Sequence, residues 1–187
     1  DVRAVVGLLE APRVILVGHS MSGPNVLEAS VGLASVAGVV LVDTMKNLDR
    51  VMPPEQVQQM LGLYRADFRR AVEQVLPKFL YSPHTPEAVQ SRLAQEFLAQ
   101  TPEFAVQALS PLYQGDLREI ARRATAPVRA IVSDVEPVDD AINRKYFRDY
   151  ASVCIPRVGH YPMLERPEAL NAALERCLDQ LGPGGPP

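Results

Sequence analysis

The chain has 187 residues, 47% of them hydrophobic and 22% charged, with a formal net charge of −3. That length suffices for one domain with a sizeable core, and the charge balance leaves no basic footprint for nucleic acid. No apolar run reaches the roughly 18 residues needed to span a bilayer, so neither nucleic acid nor membrane is expected as a partner. The two cysteines are Cys154 and Cys177. Cys177 falls on an apolar helical stripe with Leu170, Leu174 and Leu181, and both read as reduced, buried thiols in keeping with a cytoplasmic location.

In chain order, Asp1 to Glu10 reads as the last turns of an amphipathic helix, with no signal peptide visible. The run Val14-Ile15-Leu16-Val17 is an apolar strand that ends at Gly18-His19-Ser20-Met21-Ser22-Gly23. A serine bracketed by small residues at minus two and plus two suits a strand-turn-helix elbow, because larger side chains there would collide with the neighbouring strand or helix. Such an elbow exposes a hydroxyl and holds it still, two of the conditions a serine nucleophile needs. From Pro24 to Leu33 and on to Ala34, Val26, Leu27, Ser30 and Val31 follow a helical stripe. A small-x-Ser-x-small pattern occurs by chance in many turns; the strand before it and the helix after it give this one its weight.

Val36 to Val42 is a second strand, ending at Asp43-Thr44. Between Lys46 and Ala126 no strand-like run occurs. Glu55 to Lys78 spaces Val57, Met60, Leu61, Tyr64, Phe68, Val72 and Val75 as in one long amphipathic helix or a broken pair, and two Thr-Pro-Glu sequences open helices at Pro86 and Pro102. Strands resume at Val128 to Val132, before Ser133-Asp134, and at Ala151 to Pro156, before Gly159-His160. Short, continuously apolar strands alternating with helices predict a parallel sheet covered on both faces, with polar residues at the strands' carboxyl ends, where such sheets bind ligands. The expected organisation is a core over 1–45, an all-helical insertion over 46–126, a second core part over 127–181, and a disordered Gly/Pro tail over 182–187.

The elbow Gly18-His19-Ser20-Met21-Ser22-Gly23 is similar to the Gly-His-Ser-Met-Gly-Gly elbow of the alpha/beta-hydrolase fold family, with Ser22 in place of a glycine. Val158-Gly159-His160-Tyr161-Pro162-Met163-Leu164-Glu165-Arg166-Pro167-Glu168 resembles the family's histidine segment, and the two stand in the family's chain order. The resemblance runs from Asp1 to about Leu181. It implies an α/β fold with a mostly parallel sheet and a helical cap, with Ser20 as nucleophile and His160 as base. Alignment with the family's Gly-Asp-x-Asp-Pro-Val turn puts the acid at Glu136; Asp134, nearer the strand end, and Asp43, where some relatives carry the acid, are the alternatives. His84, with no motif around it, reads as a surface residue, and strand alternation points His19 away.

One oxyanion donor in this family is the backbone N–H after the nucleophile, here Met21. The second comes from a loop that, in the family, precedes the helix where this chain begins. The resemblance therefore implies a chain lacking the family's N-terminal part and an impaired enzyme. The expected activity is hydrolysis of small, mostly apolar esters or related acyl compounds through an acyl-enzyme. The alternatives are a cofactor-free carbon-carbon hydrolase or perhydrolase, or a non-catalytic member that binds an apolar small molecule. No metal cluster, phosphate-cradling loop or nucleotide fingerprint is visible, so no cofactor is expected. Oligomeric state and substrate identity are left open.

Overall fold

Four short apolar segments become one parallel sheet: β1 (Val14–His19), β2 (Val36–Val42), β3 (Val128–Ser133) and β4 (Tyr150–Ile155), in the spatial order β1-β2-β3-β4. The computed structural model describes residues 1–182, so most of the expected disordered tail lies outside the described residues. Burial on both faces explains why β2 carries no polar side chain and β3 only Arg129 and Ser133. Val39 and Leu41 of β2 join Val128, Ala130 and Val132 of β3 on one face, and Val40, Val42 and Ile131 point to the other. Both faces are covered, as the continuous apolar runs require.

The first face is packed by α2 (Ser22–Ser30) through Val26 and Leu27, with α1 (Val2–Leu8) contributing Val6. Helix α2 stops at Ser30, short of the expected stripe, because Val31 is extended and Gly32 takes φ +74°. The second face is packed by α11 (Pro167–Leu181), whose Ala173, Cys177 and Leu181 are buried beside Leu170 and Leu174. Both cysteines are free; Cys177 is buried, but Cys154 is exposed. The expectation of two buried thiols fails at Cys154, which lies on strand β4 with its side chain turned to solvent.

Between β2 and β3 the chain is helical: α3 (Pro54–Ala66), α4 (Phe68–Arg70), a π-helical turn (Ala71–Val75), α5 (Pro77–Leu80), α6 (Glu87–Leu98), α7 (Pro102–Gln114) and α8 (Leu117–Arg123). The stripe from Glu55 breaks at Asp67, whose backbone leaves the helical region and whose carboxylate caps the Arg70 N–H at 3.0 Å. Val57, Leu61, Tyr64, Ala71 and Val106 form a separate small core within this helical segment. Thr101 caps α7 as its Thr-Pro-Glu start predicts, by accepting from the Phe104 N–H at 3.1 Å. Thr85 does not cap α6, because its hydroxyl donates to Glu165 Oε2 at 2.8 Å instead.

Two short helices follow β3 and β4: α9 (Asp140–Asn143) and α10 (Pro162–Glu165). Asn143, fully buried, ties α9 to the loop after β2. Its amide donates to Met45 O, Lys46 O and Tyr150 Oη at 2.9, 3.2 and 3.0 Å, and its Oδ1 accepts from the Leu48 N–H at 3.1 Å. A buried backbone group left without a partner costs about 1–3 kcal/mol. Asn143→Ala strands several, and we expect urea denaturation to show a loss of about 3 kcal/mol, with Asn143→Gln unable to restore all four bonds.

Candidate functional site

Ser20 follows β1 directly and adopts φ +53°, a left-handed conformation uncommon for a residue with a side chain. The turn is held by Ser20 N–H to Val42 O and Gly23 N–H to Ser20 O, both 3.0 Å. A Cβ on Gly18 would lie 2.5 Å from Val26 Cγ2 and 2.8 Å from Ser22 O, and one on Gly23 would lie 2.4 Å from Thr44 Cγ2. Those two glycines are steric requirements. Ser22, in the place of the usual glycine, adds something glycine lacks: its Oγ accepts from the His19 N–H at 2.9 Å and donates to His19 O at 2.6 Å. The substitution braces the turn across its base.

The loop after β4 brings His160 to this serine. Its Nε2 lies 2.7 Å from Ser20 Oγ, and its Nδ1 lies 2.7 Å from Asp43 Oδ2. Asp43 ends β2 with φ +47°, which turns its carboxylate back over the sheet's carboxyl edge, and its N–H donates to Ile131 O at 2.7 Å. The other oxygen, Oδ1, accepts from the Ser133 N–H at 2.6 Å and from the Lys46 ammonium at 2.7 Å. Burial would raise the Asp43 carboxyl; the His160 hydrogen bond and the Lys46 charge outweigh it and hold the group well below the usual carboxylate range. An ionised Asp43 only accepts, so His160 Nδ1 is the donor and Nε2 is left with its lone pair toward the Ser20 hydroxyl.

Of the three candidate acids, the structure brings Asp43 to His160 and not Glu136 or Asp134. Glu136 is half exposed and pairs with Arg50, with no hydrogen bond to the imidazole. The family-like turn that pointed to it follows β3 with Ser133, a short side chain, at the strand end, and Asp43 from the neighbouring strand occupies the place beside His160. Asp134 also faces elsewhere. Its carboxylate accepts from the Arg157 N–H at 2.8 Å and the Val158 N–H at 3.4 Å, and those backbone bonds depress its carboxyl. It braces the loop that carries His160.

His19 is corrected as well. Its ring packs on His160 with centroids 4.8 Å apart, and Nε2–H donates to His160 O at 2.7 Å. Burial, and then the charge His160 can carry, push its basicity down, so it stays neutral beside the imidazole. His84 is exposed, as expected. The Met21 N–H, at the start of α2 beside Ser20, donates to no protein acceptor among the described residues.

Four further residues build the site, and no motif assigned a role to any of them. Lys46 is buried, with its ammonium held by Asp43 Oδ1 and by Ser133 Oγ at 2.8 Å. Its only sequence signal is a lysine three residues after a strand-end aspartate. Glu165 accepts from the Gly159 N–H at 2.8 Å, the Tyr161 N–H at 3.3 Å and the Thr85 hydroxyl, bracketing His160 on both sides. Leu80 O accepts from the His160 N–H at 2.7 Å, and a Cβ on Gly159 would lie 2.7 Å from that same oxygen. Burial pushes the Tyr161 phenol up to about 12, so it stands protonated, edge-on to both histidine rings.

Ser20, His160 and Asp43 lie on a cavity of about 1490 Å³ between the sheet's carboxyl edge and the helical segment. Its lining also includes Lys46, Arg50 and Glu136 on the loops and Met60, Phe79 and Leu109 on the helices. Among the described residues, no group of three or more His, Cys, Asp or Glu is placed to hold a metal ion, and no helix is long and apolar enough to cross a membrane.

Solved structures share this architecture at low sequence identity. A bromoperoxidase from Bacillus anthracis aligns with a TM-score of 0.77 at 15% identity, over 95% of this chain and 71% of its own. An esterase from Exiguobacterium antarcticum aligns at 0.78 and 17%, over 95% and 71%. The enol-lactonase from Burkholderia xenovorans aligns at 0.72 and 20%, over 94% and 70%. Comparison with curated proteins returned no match. Residues 1–173 match the model of the Alpha/beta hydrolase family. With the parallel sheet and the serine at the turn after β1, that match makes the chain a member of the alpha/beta hydrolase family.

Proposed function

We propose that this chain is a serine hydrolase that cleaves esters or related acyl compounds, with Ser20 as nucleophile, His160 as general base and acid, and Asp43 as the acid partner. The observation that carries the reading is the unbroken relay from Ser20 Oγ to His160 Nε2 and from His160 Nδ1 to Asp43 Oδ2, each step 2.7 Å. Ser20 Oγ attacks the acyl carbon as its proton passes to Nε2. Asp43 keeps the imidazole in the tautomer that can receive that proton and stabilises the imidazolium that results. Collapse of the tetrahedral adduct breaks the bond to the leaving oxygen, which takes the proton from Nε2. Water then repeats the sequence on the acyl-enzyme.

The Met21 N–H, free and beside the nucleophile, is the donor for the oxyanion. Two of the neighbours above are named as an esterase and an enol-lactonase, which is consistent with acyl-oxygen chemistry in this architecture. The Arg50–Glu136 pair lines the cavity in this reading and takes no part in the relay.

A fluorophosphonate should label Ser20, and Ser20→Ala or His160→Ala should abolish both labelling and p-nitrophenyl ester turnover. Asp43→Asn should cost about 10³–10⁴-fold in kcat, since the amide favours the wrong imidazole tautomer. Glu136→Gln should change kcat by less than about threefold; a loss as large as that of Asp43→Asn would return the acid role to Glu136.

The depressed Asp43 carboxyl has a consequence for stability. A group whose folded value lies below its unfolded value of about 3.9 stabilises fully above that value and loses the contribution as pH falls toward the folded one. Urea denaturation should therefore show a gap between the parent and Asp43→Asn that is constant from about pH 5 to 7 and narrows below about pH 4.

A further inference from the structure

We infer that Lys46 is a positioning residue of the reaction: its buried ammonium holds the Asp43 carboxylate in the orientation that aims the His160 imidazole at Ser20. The inference rests on the hydrolase reading above and adds to its relay a fourth residue, one that acts through Asp43 and not on the substrate. Three observations carry it. The first is where the lysine goes. Lys46 stands beside the cavity, yet its side chain is 8% exposed and its ammonium turns inward, to Asp43 Oδ1 at 2.7 Å and Ser133 Oγ at 2.8 Å. Taking both charges of a pair out of water adds little to a fold, because desolvation consumes most of the attraction. Stability therefore does not account for the pair, whose distinctive property is its contact with the acid of the relay.

The second is the geometry of the carboxylate. Its last bond turns in a broad well, so the packing of the Asp43 stem does not set the plane of the two oxygens. The Ser133 N–H, 2.6 Å from Oδ1, fixes one point of that plane. Lys46 Nζ is a second donor on the same oxygen, from a different element, and the two together restrict the rotation that carries Oδ2 to its place 2.7 Å from His160 Nδ1. The third observation is that the lysine is itself held. Lys46 O accepts from the Asp139 N–H at 2.9 Å and from Asn143 Nδ2 at 3.2 Å, and the preceding Met45 takes φ +52°. The ammonium thus extends from a backbone pinned at both ends of α9, and only a fixed donor can transmit a position. After burial, which opposes it, and the His160 hydrogen bond, the Lys46 charge is the next influence on the Asp43 carboxyl and pulls it down.

The test is a double-substitution cycle on p-nitrophenyl ester turnover, with circular dichroism to show that each variant is folded at the assay temperature. Lys46→Met keeps the length of the side chain and removes its charge. It should lower kcat by about 10- to 100-fold, the cost of a misplaced reacting group, and leave KM within about twofold. With Asp43→Asn the imidazole is already in the wrong tautomer, so adding Lys46→Met there should change kcat by less than about threefold. Equal losses in the two backgrounds, as a merely structural lysine would give, overturn the inference. So does a loss in the parent below about threefold, or a change in KM alone. If Lys46→Met does not fold, Ser133→Ala releases the ammonium on one side and keeps the Ser133 N–H; it should cost about threefold or more in kcat, and full activity overturns the inference.

A second readout needs no turnover. The Nδ1–H of an imidazole bonded to a carboxylate resonates far downfield of backbone amides, and the proton spectrum should show it in the parent and show it shifted or lost in Lys46→Met. Its absence from the parent, or an unmoved resonance in Lys46→Met, overturns the inference. A Ser20 that fluorophosphonate does not label, with a resonance that responds to Lys46→Met, sinks the hydrolase reading and leaves the hold of Lys46 on Asp43 standing.

Discussion

The site depends on one buried carboxylate that serves two masters. Asp43 Oδ2 holds the imidazole of His160, and Oδ1 is itself held by the Ser133 N–H and the Lys46 ammonium. Neither half works without the other. A carboxylate 2% exposed needs several hydrogen bonds to remain ionised, and a lysine 8% exposed needs an anion beside it. Because Oδ1 has two fixed donors, Oδ2 has one orientation, and that orientation sets the tautomer and position of the imidazole. The His160 hydrogen bond and the Lys46 charge together outweigh the burial that opposes the charge on Asp43.

What fixes the carboxylate in turn is the loop from Asp43 to Leu48. Both Asp43 and Met45 have positive φ, at +47° and +52°. Non-glycine residues in that region cost of order 1–3 kcal/mol each where the surroundings enforce it. The enforcement is visible: Asp43 N–H bonds to β3, and Asn143 gathers Met45 O, Lys46 O and the Leu48 N–H from one point. Ser20 carries the same kind of conformation at the end of β1, enforced by Val42 O and Gly23 N–H. Two adjacent parallel strands therefore end in left-handed residues that lift their side chains over the sheet edge, and His160 bridges them.

The parallel sheet and its covering were legible because the signals were local and repetitive: four continuous apolar runs, each bounded by turn residues, alternating with helical stripes. Ser20 and His160 were legible because their neighbours carry steric patterns, Gly18 and Ser22 around the one and Gly159 before the other. The acid was not. Asp43 differs from Glu136 and Asp134 only in where the folded chain sends its carboxylate, and that is decided by Asn143 on α9 and Ser133 on β3, far away in sequence. The direction of His19 was misread for a related reason. Strand alternation sets which face of a sheet a residue leaves, but His19 is the last residue of β1, where the chain is already turning into the elbow. Lys46 carried only its spacing from Asp43, and a lone lysine in a loop normally points to solvent.

The histidine loop ties the helical segment to the chemistry of the core. His160 N–H is bonded to Leu80 O, at the end of α5, and Glu165 joins the backbone on either side of His160 to Thr85. The same segment contributes Phe79, Phe104 and Leu109 to the cavity wall. Of these, Phe79 is one peptide unit from the carbonyl that accepts from the His160 N–H. A ligand that orders α5 against the core stabilises the Leu80–His160 bond at the same time, because Phe79 and Leu80 cannot move independently. In the proposed hydrolase, binding energy gained far from the scissile bond would hold His160 in register with Ser20, which is the condition under which remote contacts raise turnover and not affinity alone.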